Sequence, residues 1–439
     1  MFKNLFGGTS GSSSSGGAKA GQTNTDSQKI EEILTRGVEE IFVRESLEAK
    51  LKSGRRLKVK LGFDPTGAKI HLGRAITLWK LRALQDLGHE IIFIVGDFTA
   101  RIGDPSDKIE KRPMLTTDDI KKNLRTYKEQ IGKIINLSGS NPAKFLFNST
   151  WLAKLSFADV AELAESFSVQ QMSNRRNFKE RFEKGVEISL REFLYPLMQG
   201  YDSVAVKADI EIGGFDQLFN LKAGRIVQKH YGVHGGSREQ DVQDVLTTKM
   251  LLGTDGRKMS TSWGNVINIT DEPADMFGKI MSLRDDLIAD YFLLCTKASA
   301  AELARVSARL GKSSGATGSE NQPAENPRDV KIDLAKAIVA LYHGEKAATQ
   351  AAEKFASTFS EKKVPDDLPP IEAASGALLI DLVLSAGLVE SKTEFRRLIQ
   401  EGAITNTETG EQVTDSNFAV KTNTTFKIGK RRFAKVVVN

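Results

Sequence analysis

The pattern of apolar and polar residues divides the first part of the chain into a polar tail and a segment with helical spacing. Residues 7–28 are mostly Gly, Ser, Thr, Asn and Gln, so we expect residues 1–28 to form a disordered tail. From Lys29 onward, apolar residues recur at helical spacing, which predicts a helix. Its apolar positions are Ile30, Ile33, Leu34, Val38 and Ile41.

The next segments predict a strand, a helix and a second strand. Residues 57–63 are typical of a strand, residues 76–84 carry the apolar face of an amphipathic helix, and residues 91–95 are entirely apolar. A fully apolar strand is typical of a parallel sheet that is buried on both faces. Because the three elements follow one another within about 35 residues, they indicate a βαβ unit of a doubly wound α/β fold.

Later segments divide the rest of the chain. Strand-like or apolar runs lie at residues 204–206, 210–212 and 266–269. Helical patterns cover 275–310 and 328–358, with the low-complexity segment 311–326 between them, and a Pro-rich break at 365–370 isolates a final module. We therefore predict a nucleotide-binding domain, a helical domain and a small C-terminal domain.

Length and composition restrict the class of protein. The chain has 439 residues, which is longer than a single hydrophobic core usually serves, so we predict two to four domains. With 40% hydrophobic residues and no apolar run near the roughly 20 residues that span a bilayer, it belongs to the globular class. The apolar start is too short for a signal peptide, and the single cysteine, Cys295, excludes an internal disulfide and a thiolate-rich metal cluster. We expect a cytoplasmic protein without a metal site of its own.

The net charge of +6 is matched by one segment. Residues 421–439 contain Lys and Arg but no Asp or Glu. A local basic patch of this kind fits an anionic polymer as a partner, and a solvated charged tail fits the pattern equally well.

The first candidate for chemistry follows the first predicted strand. Residues 64–74 form a Pro- and Gly-containing turn that leads into a helix, and a helix N-terminus with free N–H groups suits phosphate. His71 could donate to a phosphoryl oxygen, and Gly73 would let a nucleotide approach the backbone. Taken alone, the pattern is more often a surface turn with an incidental histidine.

The second candidate is the Gly- and Ser-containing loop 255–262. Its lysine, Lys258, could bring positive charge to a phosphorus centre and a departing pyrophosphate, where charge counts most in the transition state. The alternative interpretation is that the Gly-Arg-Lys segment is only an exposed surface turn. Each motif is ambiguous alone, and the two in this order on a doubly wound fold are specific.

Together, these motifs carry a resemblance. Residues 71–74, His-Leu-Gly-Arg, resemble the HIGH signature of class I aminoacyl-tRNA synthetases, and residues 258–262, Lys-Met-Ser-Thr-Ser, resemble their KMSKS signature. Similarity to the bacterial tyrosyl-tRNA synthetases covers nearly everything from Lys29 to the end. Further matching segments are Gly-Phe-Asp-Pro-Thr at 62–66, Ile-Gly-Asp-Pro at 102–105, Gln-Gly-Tyr-Asp at 199–202 and Gly-Gly-Phe-Asp-Gln at 213–217.

The resemblance implies a fold and a set of partners. The fold is α/β, with a doubly wound parallel-sheet (Rossmann-like) catalytic domain, then an α-helical domain and a small α+β RNA-binding domain. The implied segments are the tail 1–28, the catalytic domain with its connective insertion 29–247, the KMSKS-type loop 248–270, the helical anticodon-binding domain 271–364 and the RNA-binding domain 371–439. Implied partners are L-tyrosine, ATP with Mg²⁺, tRNA(Tyr) and a second copy in a homodimer.

The amino-acid pocket can also be inferred from helical spacing. Tyr195, Gln199 and Asp202 are spaced four and then three apart, which places them on one helical face. An inward face of this kind implies a polar ligand, whereas an amphipathic helix facing solvent has the same pattern; Pro196 kinks or starts the helix. By resemblance, Asp202 accepts the phenolic proton of tyrosine, while Tyr195, Gln199 and Asp104 surround its ammonium group.

The resemblance also assigns roles around the nucleotide. Asp216 and Gln217 hold the ribose and the acyl-phosphate region, and Lys108 and Arg112 close over pyrophosphate, although residues 106–112 alone read nearly as well as a charged surface loop. The implied catalytic residues are His71, Arg74, Lys258, Thr261, Lys108 and Arg112. The implied tyrosine-binding residues are Lys60, Asp104, Tyr195, Gln199, Asp202 and Gln217. The implied ATP-binding residues are Gly62, Asp64, Thr66, His71, Gly73, Gly214, Asp216 and Lys258.

Three positions depart from the family pattern. Arg74 replaces the second histidine of HIGH, Thr261 replaces the second lysine of KMSKS, and Lys60 stands where many relatives have a tyrosine near the substrate phenol. Arg74 keeps a donor and adds permanent charge, whereas Thr261 keeps only a hydroxyl. The family pattern alone therefore does not predict the rate, the ATP affinity or how the far end of the pocket is completed.

The final module predicts two helices and two short strands. It resembles the small RNA-binding fold that a ribosomal small-subunit protein shares with bacterial tyrosyl-tRNA synthetases, and a basic protein-binding domain fits the same residues. The predicted strands contain residues 402–404 and 426–429. The side chains expected on phosphates are Arg396, Arg397, Lys430, Arg431 and Arg432.

The resulting hypothesis is a tyrosine-activating synthetase, and two alternatives remain. A tryptophanyl-type enzyme shares the fold and the signatures, but the polar Asp202 and the appended RNA-binding module count against it. A non-catalytic RNA-binding paralogue would fit the altered Arg74 and Thr261, but the intact set of predicted pocket residues counts against decay.

Overall fold

The structure is a computed structural model that describes residues 23–104, 115–235, 241–311, 325–357, 368–429 and 432–439. Several predictions fall outside these residues. They are residues 1–22 of the tail, Lys108, Arg112, most of the segment 311–326, part of the break 365–370, Lys430 and Arg431. The chain divides into two compact units, one ending at Ala348 and the other beginning at Thr349.

A six-stranded sheet forms the centre of the first unit, with the strand order β1-β6-β5-β2-β3-β4. All neighbouring pairs are parallel except β1 and β6. Its strands are β1 (Val38–Phe42), β2 (Lys58–Phe63), β3 (Glu90–Val95), β4 (Lys144–Phe147), β5 (Ile210–Gly214) and β6 (Asp244–Thr248). The predicted doubly wound α/β fold and its first βαβ unit are confirmed.

Helices cover the sheet and continue beyond it. Along the chain they are α1 (Ser27–Thr35), α2 (Arg44–Lys52), α3 (Leu72–Asp86), α4 (Thr99–Ile102), α5 (Thr117–Leu124), α6 (Tyr127–Gly132), α7 (Ser149–Leu152), α8 (Phe157–Glu165), α9 (Val169–Ser173), α10 (Arg176–Glu183), α11 (Leu190–Val206), α12 (Leu218–His230), α13 (Pro273–Met281), α14 (Ile288–Cys295), α15 (Ala300–Arg309), α16 (Pro327–His343) and α17 (Glu345–Phe355). In the part of the chain that is described, no helix combines the length and apolar character needed to cross a bilayer.

The strand order places a crevice between β2 and β5. From β2 the chain proceeds through β3 and β4 towards one edge of the sheet, whereas β5 and β6 lie on the other side of β2. In open parallel sheets, ligands bind at the carboxyl ends of the strands where the order reverses direction. The segments that follow Phe63 and Gly214 are therefore the expected place for a site.

The prediction for the first helix needs correction at both ends. Its start lies inside the predicted tail, because Asp26 caps α1 by accepting hydrogen bonds from the N–H groups of Gln28 and Lys29. Its end comes before Val38 and Ile41, which lie in β1 and not in the helix. Gly37 adopts a positive φ of 63°, which ends the helix and lets the chain pair with β6.

Two apolar runs were also assigned wrongly. Residues 204–206 are not a strand but the last turn of α11, which ends where Lys207 turns left-handed. Val206 is buried beside Ile92 and Ile94, so the run is apolar because it packs on the sheet, and three residues are too few to reveal a period. Residues 266–269 contribute one isolated bridge, from Asn268 to His71, and no strand.

The second unit contains a small sheet and two helices around its own core. Its elements are β7 (Pro370–Ala373), β8 (Ala377–Leu378), α18 (Leu379–Ser385), α19 (Lys392–Gln400), β9 (Ile404–Asn406), β10 (Ala419–Val420), β11 (Thr424–Ile428) and β12 (Arg432–Val438). The four-stranded order is β7-β12-β11-β9. Leu379, Phe395 and Phe426 are fully or almost fully buried in the core. The predicted strand at 402–404 overlaps β9 only at Ile404, which lies opposite Ile428 of the second predicted strand.

Candidate active site

Two glycines open the carboxyl ends of β2 and β5. A Cβ added to Gly62 would meet no protein atom within 4 Å, so a ligand can approach this backbone closely. At Gly214 an added Cβ would lie 2.6 Å from an oxygen of Asp216, so the glycine lets that carboxylate fold back over the strand end. Both glycines were predicted to make room for a nucleotide.

Asp64 joins the end of β2 to α11. Its two carboxylate oxygens accept hydrogen bonds from Thr99 Oγ1 at 2.7 Å and from the hydroxyl of Tyr195 at 2.8 Å. Gly96 has to lack a side chain, because an added Cβ would collide with Asp64 and Thr99. Burial raises the pKa of Tyr195 well above its usual value, so Tyr195 remains a hydroxyl donor. Asp64, which was predicted to bind ATP, is therefore hydrogen-bonded directly to Tyr195, which was predicted to bind tyrosine.

His71 stands at the N-terminus of α3 and is 8% exposed. Burial, aided by the charges of Arg74 and Lys258, lowers its pKa to about 3, so the imidazole is neutral at physiological pH. Its Nδ1 atom has no hydrogen-bond partner within the described residues. The ring can therefore act as a neutral hydrogen-bond donor, but not as a charged acid.

Arg74, one turn into α3, is held by three contacts. Its guanidinium donates to the hydroxyls of Tyr127 at 3.3 Å and Thr66 at 3.1 Å, and it lies 4.6 Å from the ring centre of Phe63. Thr66 was predicted to bind ATP. The permanent charge that replaces the second signature histidine is therefore fixed beside the carboxyl end of β2.

The loop that carries Lys258 is tied to the same place. Lys258 Nζ forms an ion pair with Asp216 at 2.8 Å, and both groups are partly exposed. Asn265 organises the loop by donating to Asp255 and accepting from the N–H of Ser260. The structure thus brings the two signature segments together, whereas Thr261 is exposed at the start of a short 3₁₀ helix.

A second polar cluster surrounds Asp104. Its two carboxylate oxygens accept from Gln217 Nε2 at 2.6 Å and from Asn220 Nδ2 at 3.3 Å. Arg175 donates to Asn220 at 2.9 Å and lies over the ring of Phe219, and its second terminal nitrogen is buried without a hydrogen-bond partner in the described structure. Asp104 and Gln217 were predicted, and Asn220 and Arg175 were not.

Asp202 is 3% exposed and lies on α11. It accepts from Trp151 Nε1 at 2.7 Å and from Asn148 Nδ2 at 3.4 Å. Burial raises its pKa to about 7, although Lys60 and these two donors oppose the shift. The carboxylate is thus desolvated and held in place by two donors. A buried acceptor of this kind can favour a ligand with a hydroxyl group over one without it, because the second ligand leaves the acceptor unpaired.

Lys60, which the resemblance places near the substrate, is enclosed by protein acceptors. It is completely buried, and its three ammonium protons have three acceptors: the backbone oxygen of Gln199 at 3.0 Å, Ser203 Oγ at 2.6 Å and Glu211 at 3.0 Å. A direct contact with a ligand would require one of these bonds to break. Lys60 therefore lies behind the helix that carries the pocket residues.

Sequence reasoning missed Arg175, Asn220, Trp151 and Glu211. Asn220 follows Gln217 by three residues on a helix, a spacing that could have indicated it. Glu211 sits two residues before the Gly-Gly turn in an otherwise apolar strand, and a charged residue there signals a buried partner. Nothing in the local sequence around Arg175 or Trp151 marks either residue.

In the second unit, the predicted phosphate-binding residues differ in availability. Arg396 and Arg397 are exposed on α19, and Arg397 lies 3.7 Å from Glu401. Arg432 instead donates to the backbone oxygen of Leu388 and to Glu394 at 2.9 Å. Its guanidinium is engaged within the unit, so it is less free to bind phosphate than the two arginines on α19.

Comparison with known proteins places this arrangement in a family. The family described as tRNA synthetases class I (W and Y) matches residues 52–360. A tyrosine–tRNA ligase of Carboxydothermus hydrogenoformans is 46% identical over 92% of this chain and 97% of its own length. A tyrosine–tRNA ligase of Colwellia psychrerythraea is 44% identical over 94% of this chain and 100% of its own length.

Solved structures agree on the fold. A C-terminally truncated mitochondrial tyrosyl-tRNA synthetase of Aspergillus nidulans superposes with a TM-score of 0.59 at 21% identity, covering 75% of this chain and 94% of that one. The tyrosyl-tRNA synthetase of Archaeoglobus fulgidus, solved with L-tyrosine, gives a TM-score of 0.56 at 23% identity, covering 74% and 99%. From the sequence similarity over nearly its whole length, the chain belongs to the tyrosine–tRNA ligase family of class I aminoacyl-tRNA synthetases.

Proposed function

We propose that this chain activates L-tyrosine with ATP and then transfers the tyrosyl group to the 3′ end of tRNA(Tyr). A carboxylate oxygen of tyrosine attacks the α-phosphorus of ATP, and the bond to the β-phosphate oxygen breaks to release pyrophosphate. A hydroxyl of the terminal adenosine then attacks the carbonyl of the adenylate, and AMP leaves. The chemistry needs little covalent work from the protein, so positioning and charge carry the catalysis.

The observation that supports this function best is the meeting of His71 and Lys258 at the carboxyl ends of β2 and β5. A neutral His71 at a helix N-terminus can donate to a phosphoryl oxygen, and Lys258 can exchange Asp216 for the phosphates as negative charge develops. Released Asp216 can then accept from a ribose hydroxyl. The sequence pattern adds Lys108 and Arg112 as further cations for pyrophosphate.

At the amino-acid end, Asp202 is proposed to accept the phenolic proton. Tyr195, Gln199 and Asp104 are proposed to surround the ammonium, with Gln217 bound to Asp104. The desolvated carboxylate favours tyrosine over phenylalanine, because a phenyl ring leaves Asp202 without the hydroxyl donor that tyrosine supplies.

Mg²⁺ is proposed to enter with ATP. Within the described residues, no three His, Cys, Asp or Glu side chains lie close enough together to hold a metal ion. The phosphate oxygens and water would therefore supply most of its ligands, and the ion would neutralise phosphate charge.

The decisive experiment is tyrosine-dependent exchange of pyrophosphate into ATP. Exchange with tyrosine, and little or none with tryptophan or phenylalanine, is the expected result. Exchange driven by tryptophan would indicate the related tryptophanyl activity, and no exchange with any amino acid would indicate a non-catalytic RNA-binding protein.

The second unit is proposed to bind the tRNA, with Arg396 and Arg397 on phosphates. A chain truncated near Pro370 should keep pyrophosphate exchange but charge tRNA poorly, and its tRNA binding should depend less steeply on salt. Full charging by the truncated chain would contradict the proposal. Loss of both activities would mean that residues beyond 370 belong to the catalytic fold.

A homodimer is proposed from exposed apolar side chains. Phe157, Val169, Phe182 and Leu190, from α8 to α11, are 90%, 75%, 56% and 79% exposed, respectively. Large apolar side chains concentrated in one stretch are typical of a protein interface. Sedimentation equilibrium should give twice the mass of the chain, and Phe157→Asp should shift the equilibrium towards monomer.

We propose the cytoplasm as the compartment of this protein, in line with a single buried and unpaired cysteine.

A further inference from the structure

Behind the candidate amino-acid pocket lies a buried ion pair that belongs to no signature motif. Lys60 on β2 and Glu211 on β5 are register partners on neighbouring parallel strands. Both side chains are 0% exposed, and Lys60 Nζ lies 3.0 Å from a carboxylate oxygen of Glu211. Burying two charges is costly, and such a pair adds little net stability compared with apolar residues. Its presence here therefore calls for another explanation.

Glu211 collects four donors. One oxygen accepts from Lys60 and from Gln199 Nε2 at 3.1 Å. The other accepts from Ser203 Oγ at 3.1 Å and from Gln243 Nε2 at 2.6 Å. Gly224 on α12 leaves room for this cluster, because an added Cβ would lie 2.8 Å from Ser203 Oγ and 2.9 Å from Glu211.

The chemistry of these groups fixes the direction of every bond. An ionised carboxylate only accepts, and an ammonium only donates. Ser203 must accept from Lys60 at 2.6 Å, so its own proton goes to Glu211. Gln199 has to turn its amide N–H towards Glu211, and its oxygen Oε1 then faces away from the ion pair. Within the described structure, no hydrogen bond occupies that oxygen.

The orientation of this amide decides what it can bind. An ammonium group offers only donors, so it is attracted by the amide oxygen and repelled by the amide N–H groups. If the carboxamide of Gln199 rotated by half a turn, it would present the wrong end to a positive ligand. A glutamine next to a neutral amide has no reason to prefer either orientation, whereas Glu211 permits only one.

We propose that the Lys60–Glu211 pair is a positioning element that holds the Gln199 amide with its oxygen towards the ammonium group of the amino-acid substrate. The pair thereby makes the pocket selective for ligands that carry an α-amino group. This inference rests on the proposed function, in which Gln199 faces the ammonium. Lys60 lies 3.0 Å from Glu211 as its counter-charge, and it anchors α11 through the backbone oxygen of Gln199 at 3.0 Å.

The test compares three ligands that differ in one group each. L-tyrosine carries phenol, ammonium and carboxylate, tyramine lacks the carboxylate, and 3-(4-hydroxyphenyl)propanoate lacks the ammonium. Their dissociation constants are measured by calorimetry on the full chain and on Glu211→Gln. Tyrosine and tyramine should bind about tenfold more weakly to the variant, because a hydrogen bond to a charged group is lost. Binding of the propanoate should change less than about twofold, since it has no group for Gln199 to recognise.

A second variant covers the case in which Glu211→Gln does not fold, since it leaves Lys60 buried without its counter-charge. The double variant Lys60→Met/Glu211→Gln removes both charges and should fold, because neutral replacement of a buried pair is tolerated. It should show the same selective loss for the two ammonium ligands. An equal change for all three ligands, or no change for any, would overturn the proposal.

A matched control lies on the same helix. Glu192 of α11 forms a buried ion pair with Arg181 at 2.8 Å, with the two side chains 4% and 0% exposed. Glu192→Gln should change binding of the three ligands by one common factor. Selective loss in this control would mean that any damage to α11 weakens ammonium binding, and would overturn the specific role of Glu211.

Failure of the proposed function gives a different result. If the unmodified chain does not bind tyrosine, the proposed function fails and the ion pair has no substrate to select. If it binds tyrosine and the propanoate equally well, Gln199 does not recognise the ammonium. If it prefers the ammonium ligands and Glu211→Gln keeps that preference, only the role of the ion pair is rejected.

Discussion

At the amino-acid end of the candidate site, Asp202 is 3% exposed and already accepts hydrogen bonds from Trp151 and Asn148. At the nucleotide end, the side chain of Lys258 is 33% exposed and has one carboxylate partner, Asp216. A buried group that fixed donors hold in place cannot move to a new partner without cost, so it selects among the ligands that reach it. A half-exposed ion pair is weak and can be exchanged, so it can follow a charge that develops during reaction.

The largest expected effect lies at the exposed end. Lys258→Ala should lower the rate of tyrosyl adenylate formation by about 10²–10³-fold, as the loss of a transition-state donor does. Tyrosine affinity should stay within about twofold, because the amino-acid end is untouched. Pre-steady-state activation kinetics measure both quantities on one preparation.

The same unit offers a control for that prediction. Lys222 forms an ion pair with Glu40 at 2.9 Å, with side chains 35% and 36% exposed. Lys222→Ala removes a comparable half-exposed charge and should leave the activation rate within about twofold of the parent. Equal losses of rate and tyrosine affinity in Lys258→Ala would mean that this lysine has a structural role.

At the buried end, the expected effect is on selectivity. Asp202→Asn should reduce discrimination between tyrosine and phenylalanine by about 10- to 100-fold, the range for a buried hydrogen bond to a charged group. The activation rate with saturating tyrosine should fall less than in Lys258→Ala. The measurement is the ratio of kcat/KM for the two amino acids, and an unchanged ratio would show that Asp202 does not face the phenol.

Asp202 should also affect stability in a pH-dependent way. Burial raises its pKa to about 7, above the value in the unfolded chain. Protonated Asp202 therefore contributes stability that is complete at low pH and is lost as the pH rises through 7. The Asp202→Asn variant has no such loss. The difference in free energy of unfolding, variant minus parent, should therefore be about 2 kcal/mol larger at pH 8.5 than at pH 5.5.

Urea unfolding of the two chains at both pH values measures this difference. Unfolding at pH 8.5 would show the advantage of the amide at its largest, because the carboxylate is then ionised in a dry site. A difference that does not vary with pH would mean that Asp202 is ionised throughout this range.

The smallest expected effect comes from Arg74. Lysine can supply one charge but cannot reach the hydroxyls of Tyr127 and Thr66 together while lying over Phe63. Arg74→Lys should therefore lower the activation rate by roughly three- to fivefold, the scale of one weakened hydrogen bond. A rate loss as large as that of Lys258→Ala would assign Arg74 a direct role on the phosphates.

The fold could be predicted where pattern and burial coincide. β3 was found because the sheet is buried on both faces, which makes this strand apolar from Ile91 to Val95, whereas β2 and α3 were found from their alternating and helical patterns. The edge strand β1 was missed because Val38 and Ile41 also fit the period of the preceding helix. The break at Gly37 depends on pairing with β6, about 200 residues away along the chain, and no local pattern contains that partner.

The candidate site was predictable where it follows motifs, and not where it depends on packing. His71, Lys258 and Asp216 lie in short signature segments, and the structure brings them together. Trp151 and Arg175 reach the site from α7 and the start of α10, whose sequences give no sign of it. Lys60 was expected to touch the substrate because of its position in the chain, whereas its three protons are all used by protein acceptors.

The Lys60–Glu211 pair also constrains how this sequence can evolve. A single change at either position leaves a buried charge without its partner, at a cost of about 3–5 kcal/mol, which is a large share of the stability of a typical domain. Drift at these two sites should therefore proceed by paired exchange. Among relatives, lysine at the first position should occur together with an acid at the second, and tyrosine at the first together with an uncharged residue.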